Sequence, residues 1–256
     1  MSPHLAFAIC ALLLGCSPPA TKLSPPPPGL GLHPFYKKYV DAGGIPILSS
    51  EWVPDEALHE TARIVERMLA KRPDIRERMV GRQARVAVIG QDEVVTDMPE
   101  YRDLYRTFPG TDWNERARGL GGVVGLPLTS TSEENVLCYF RDRYKGESVL
   151  VHEFAHGMMN LGLRDDEPEF APKLEQLLTD AKAAGRWDKT YAATNIDEFW
   201  AEAAQSWFDT NLQAEPVNGI HNHVDTCEEL EAYDPGLAAM LRDVFPEDFR
   251  YRCPGK

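Results

Sequence analysis

Apolar and polar positions recur along this chain with two different periods, and the changes of period mark its elements. Leu58, Ala62, Val65, Met68 and Leu69 repeat every three or four positions between residues 55 and 72. With Asp55 as a candidate N-cap after Pro54 and Pro73 beyond the end, this predicts an amphipathic helix. Arg85-Val86-Ala87-Val88-Ile89-Gly90 is short, β-branched and closed by glycine, which predicts a strand. Gly121 to Leu126 is a second strand candidate, and Asn135 to Tyr139 a third or a buried connector. Helical spacing returns in Pro172 to Ala183, in Ile196 to Phe208 with Phe199, Trp200, Ala203 and Trp207 largely on one side, and near Gly236 to Val244. Short strands early, then helices, predict one α+β domain in which a small sheet packs on helices.

The N-terminal pattern is of another kind. Leu5 to Leu14 is an unbroken apolar run, too short to span a bilayer as a helix but suited to a signal-peptide core. It ends in Leu13-Leu14-Gly15-Cys16, which resembles a bacterial lipobox with Cys16 as the lipidated residue. Ser17 after it resembles an outer-membrane sorting signal. A simple cleaved signal peptide is the alternative. Residues 17–34 are rich in proline, including Pro25-Pro26-Pro27-Pro28, and predict an extended tether. The expected organisation is thus a signal segment (1–16), a tether (17–34) and a catalytic domain (35–256). The protein is expected outside the cytoplasm, held on a membrane by its lipid alone, or secreted.

Charge narrows the partners. The chain carries 27 Lys+Arg against 40 Asp+Glu, a net −13, which argues against nucleic acid. A field of that sign draws cationic substrates, within the reach that salt allows. Of the cysteines left after export and anchoring, Cys227 and Cys253 share the C-terminal segment and are the expected disulfide, with Cys138 a buried free thiol.

The chemistry concentrates in Val151-His152-Glu153-Phe154-Ala155-His156-Gly157. On a helix the two histidines face the same way and reach one Zn²⁺, while Glu153 stands beside them as a base for water. With 7 His in 256 residues, random placement yields far fewer than one such match. Val149, Leu150, Phe154, Met158 and Met159 mark the helix as buried, where unpartnered imidazoles are costly.

Zinc on two histidines requires a third protein ligand and an open fourth position for catalysis. The metzincin solution, a His six residues after His156, is excluded because Gly162 stands there. Glu198 is the best candidate, with Glu202 one turn on to orient a histidine through its other ring nitrogen. Glu167, Glu169, Glu175, His221 and His223 are the other contenders. At the start of that helix Asn195 with Glu198, or Thr194 with Asp197, fits a capping box; the second choice leaves Glu198 free for metal.

His152-Glu153-Phe154-Ala155-His156, then Tyr191, then Glu198-Phe199-Trp200-Ala201-Glu202 together resemble the catalytic domain of anthrax lethal factor and the secreted Pro-Pro endopeptidases. The resemblance covers roughly residues 148–208. It implies a zincin-like metallopeptidase with the motif helix central, a single zinc ion on His152, His156 and Glu198, Glu153 as general base, and Tyr191 facing the oxyanion. The substrate is expected to be a peptide or protein. The alternatives are a zinc-binding envelope lipoprotein without catalysis, and an amide hydrolase acting on cell-wall peptides.

Overall fold

The computed structural model of the chain describes residues 23–251 and Cys253. The expected signal segment, Cys16 and residues 17–22 of the expected tether lie outside the described residues. From Leu23 onward the chain already belongs to the folded unit: Ser24 exchanges two backbone hydrogen bonds with Tyr39, at 3.1 and 2.9 Å, so the packed region starts earlier than residue 35.

Four strands form one mixed sheet in the order β1 (Lys38–Ala42), β2 (Ile45–Ser49), β3 (Arg85–Ile89), β4 (Leu128–Ser132). β1 and β2 are an antiparallel hairpin turned by Gly43 and Gly44, whose φ values of 64° and 93° suit residues without a Cβ. β2, β3 and β4 run parallel. The crossover from β2 to β3 is made by α1 (Asp55–Met68) and α2 (Pro73–Gly81), as a parallel pair requires. Asp55 is the first helical residue rather than the cap, and its carboxylate meets Lys38 at 2.7 Å.

The period-two alternation of the strands divides the core. Val40, Ala42, Ile45, Ile47, Val86 and Val88 face the helices, while Leu48, Ala87, Ile89 and Leu128 close a smaller core with Tyr36, Met98 and Tyr101 on the other face. After β4 come the short α5 (Glu133–Val136) and the motif helix α6 (Val149–Met158), extended by a π-helical turn at Met159–Leu163. α7 (Phe170–Ala183), α8 (Ile196–Trp207), α9 (Cys227–Tyr233) and α10 (Pro235–Val244) complete the helical layer. Two single-turn helices, α3 (Leu104–Thr107) and α4 (Trp113–Arg116), precede β4. Among the described residues no helix is long and apolar enough to cross a membrane.

Three expectations change. Residues 121–126 form a turn, not a strand: Val123 and Leu126 bond each other at 3.0 and 2.9 Å, with Gly125 at φ 87°. The strand is the next segment, Leu-Thr-Ser-Thr-Ser, polar yet wholly buried. Of the two readings for residues 135–139 the strand fails: they begin in α5 and continue as a connector, buried at Asn135 and Val136 and half-buried beyond. The disulfide joins Cys138 to Cys253, across 115 residues, and Cys227 is the buried free thiol. Nearness in sequence misleads here, because the C-terminal segment returns to α5, where the Tyr251 hydroxyl donates to the Val136 carbonyl at 2.8 Å.

Candidate metal centre and cleft

α6 is fixed at its start by two side chains. The Ser148 hydroxyl accepts from Val151 N at 3.2 Å, and Asn135 Oδ1 accepts from Val149 N at 2.8 Å. Glycines on either side let the helix lie against the sheet edge. A Cβ on Gly157 would stand 2.7 Å from Thr129 Oγ1, and one on Gly121 would stand 2.6 Å from His156 Cβ. α8 crosses α6 with the Trp200 indole donating to Ala155 O at 3.1 Å.

Asn195 caps α8, accepting from Asp197 N at 2.8 Å and Glu198 N at 2.9 Å. The Thr194 alternative is therefore not the one adopted. Asp197 turns away to pair with Arg164. Glu198 keeps its side chain free and directs it at the imidazoles.

The three candidate ligand atoms form a nearly equilateral triangle. His152 Nε2 lies 3.1 Å from Glu198 Oε2 and 3.1 Å from His156 Nε2, and His156 Nε2 lies 3.3 Å from Glu198 Oε2. A tetrahedral zinc site with bonds of about 2.0–2.1 Å has ligand-to-ligand edges of about 3.3–3.4 Å. The donors and their spacing thus fit a metal ion, and this trio could hold one.

Burial opposes the charged form of His152, but the hydrogen bond to Glu198 and the charges of Glu153, Glu202 and Glu198 outweigh it and push the group up to about 10. Glu198 is also disfavoured as an anion by burial, yet its hydrogen bonds to His152 and His156 hold it well below the usual carboxylate range. A proton on the His152 ring balances this carboxylate.

Behind the triangle, His152 Nδ1 is 2.9 Å from Gln205 Oε1. That contact holds the ring with a hydrogen on Nδ1, so that once Nε2 gives up its proton its lone pair would face a metal. Glu202 stands farther off, 3.5 Å from the same nitrogen, because Asn211 Nδ2 engages its Oε2 at 3.2 Å. The orienting task assigned to Glu202 therefore falls first to Gln205. It sits two helical turns after Glu198 on the same face, a spacing that could have revealed it.

Tyr191 opens a 3₁₀ turn and donates its hydroxyl to Glu198 Oε1 at 3.0 Å, its ring stacked 6.4 Å from that of His152. Burial, then the Glu198 charge, raises its phenol.

The remaining contenders point elsewhere. Glu167 binds Arg78 at 2.9 Å, Glu169 and Glu175 are exposed, His221 Nε2 faces Glu147 at 3.3 Å, and the His223 ring packs 5.0 Å from Tyr233.

The triangle opens into a cleft of about 700 Å³ whose lining includes Glu153, Tyr191, Trp113 and Arg116. One wall is the segment 117–120, anchored where Arg118 grips Glu134 through two hydrogen bonds of 2.7 and 2.9 Å in a buried pair. Comparison with known protein families, characterised proteins and solved structures returns no match for this chain.

Proposed function

We propose that this chain is a zinc-dependent peptidase with a zincin-like domain, related in its site to the lethal factor catalytic domain and the Pro-Pro endopeptidases, and exported as a lipoprotein anchored through Cys16. The observation that carries the reading is the near-equilateral triangle of His152, His156 and Glu198, open on one side to a cleft that Glu153 also lines. A closed structural site offers four protein ligands; a catalytic one offers three and a free position. Zinc held there supplies Lewis acidity and lowers the pKa of water toward neutrality.

The chain's own residues do the rest. Glu153 takes the proton of the attacking water and passes it to the leaving amine. Tyr191 releases Glu198 Oε1 and turns its hydroxyl to the developing oxyanion. Gln205 and the cap at Asn195 hold the ligands still while this happens.

The test is the Glu153→Gln protein, purified with zinc and given a proteome-derived peptide mixture. We expect zinc retained and cleavage reduced at least about a hundredfold, the scale of a lost general base. Undiminished turnover contradicts the assignment.

A further inference from the structure

The lip of the cleft carries two cations that the hydrolysis does not use. Arg116 ends α4 and Arg143 lies in the segment leading to α6, and both line the cavity that holds His152 and Glu153. In this acidic chain other arginines find carboxylates: Arg78 meets Asp74 and Glu167, Arg82 meets Asp166, Arg118 meets Glu134. Among the described residues Arg116 and Arg143 have no carboxylate within 4.0 Å, although Glu115 adjoins the first and Asp142 the second in sequence.

The Arg116 guanidinium is instead positioned by an aromatic ring, and that of Arg143 by a ring and a main-chain carbonyl. Arg116 stands over Trp113 at 6.0 Å and Arg143 over Tyr144 at 5.1 Å. Arg143 Nη1 donates to Glu115 O at 2.7 Å, and the Tyr144 hydroxyl donates to Arg116 O at 3.2 Å. The two segments are thereby clasped together, with both cations on one wall. Ring faces and carbonyls orient a guanidinium without cancelling its charge, and most of its N–H fork stays free for an anion. The neighbouring acids are turned to other tasks: Asp112 caps α4, and Asp142 accepts from Asn135 Nδ2 at 2.8 Å.

We propose that Arg116 and Arg143 form an anion subsite that takes a carboxylate of the peptide substrate, either an acidic side chain or a terminal carboxylate; this rests on the peptidase reading above. The net charge of −13 repels an acidic peptide at long range, but salt confines that field to about 8 Å. Contact with the paired guanidinium groups then decides the preference, so the expectation of a cationic substrate is reversed at this lip.

The test uses the full chain, zinc-loaded and carrying Glu153→Gln so that peptides bind without turnover. Dye-labelled alanine peptides, amidated at the C-terminus, carry Glu or Gln at each position in turn, and binding is read by anisotropy. At one position the Glu peptide should bind about tenfold tighter than its Gln twin, the scale of a hydrogen bond to a charged group. The preference should vanish when Arg116→Gln and Arg143→Gln are added, with zinc content confirming the fold. A parallel set with a free C-terminus separates the two sources: preference for the free acid assigns the terminal carboxylate. Equal binding of Glu and Gln peptides at every position, with no preference for the free acid, overturns the subsite. So does a preference that survives the double substitution. If the unmodified protein cleaves no peptide, the peptidase reading falls, while these binding pairs still report on the subsite.

Discussion

Gln205 Oε1 lies 2.9 Å from His152 Nδ1, while Glu202 Oε1 lies 3.5 Å from the same atom. A neutral amide, not the neighbouring carboxylate, is therefore the chief partner of the ring. Replacing Gln205 by Ala should weaken zinc binding about 10–100-fold, as loss of an orienting partner does. Glu202→Gln should cost less. Competition with a chelator of known affinity measures both; the reverse order would show that the carboxylate orients the ring.

Metal uptake should release protons. Burial opposes charge on His152, but Glu198, Glu153 and Glu202 push it up to about 10, so its imidazole carries a proton at neutral pH, whereas a ligating nitrogen must be neutral. About one proton should leave per zinc bound between pH 7 and 8, and apparent affinity should rise about tenfold per pH unit below about 10. Calorimetry in buffers of different ionisation heat counts the protons. Proton-independent binding would contradict the charged His152–Glu198 pair.

The covalent link between Cys138 and Cys253 closes a separation of 115 residues. A loop of that size corresponds to roughly 4–5 kcal/mol in the chain-entropy account, with about 2–4 typical in practice. Urea unfolding with and without reductant should show a loss on that scale. Peptide mapping without reduction should find Cys138 joined to Cys253 and Cys227 alkylated only after unfolding. A Cys227–Cys253 peptide would contradict the structure.

The site was more legible in the sequence than the sheet, for physical reasons. His152, Glu153 and His156 follow helical geometry within one turn, and Glu198 follows a cap whose hydrogen bonds are local. Such signals survive without tertiary context. β4 was hidden because Thr129 and Ser130 are polar, and their burial is made tolerable by Gly122 N and Leu120 N, donors from the segment just before the strand that only the fold lays alongside it. The β1–β2 hairpin was hidden by Pro46, which in sequence argues against a strand. Gln205 carries no charge to draw attention; its one signal in the sequence is its place two helical turns after Glu198 on the same face. The cysteine pairing depends on where the last residues return, which no spacing records.

His152, His156 and Glu198 together should hold one zinc ion, with Glu153 beside the metal rather than on it. Elemental analysis of the purified wild type, His156→Ala, Glu198→Ala and Glu153→Gln proteins tests this directly. One zinc per chain is expected in the wild type and in Glu153→Gln, and close to none in the other two. A Glu198→Ala protein that keeps its full zinc, or a Glu153→Gln protein that loses it, would contradict the account.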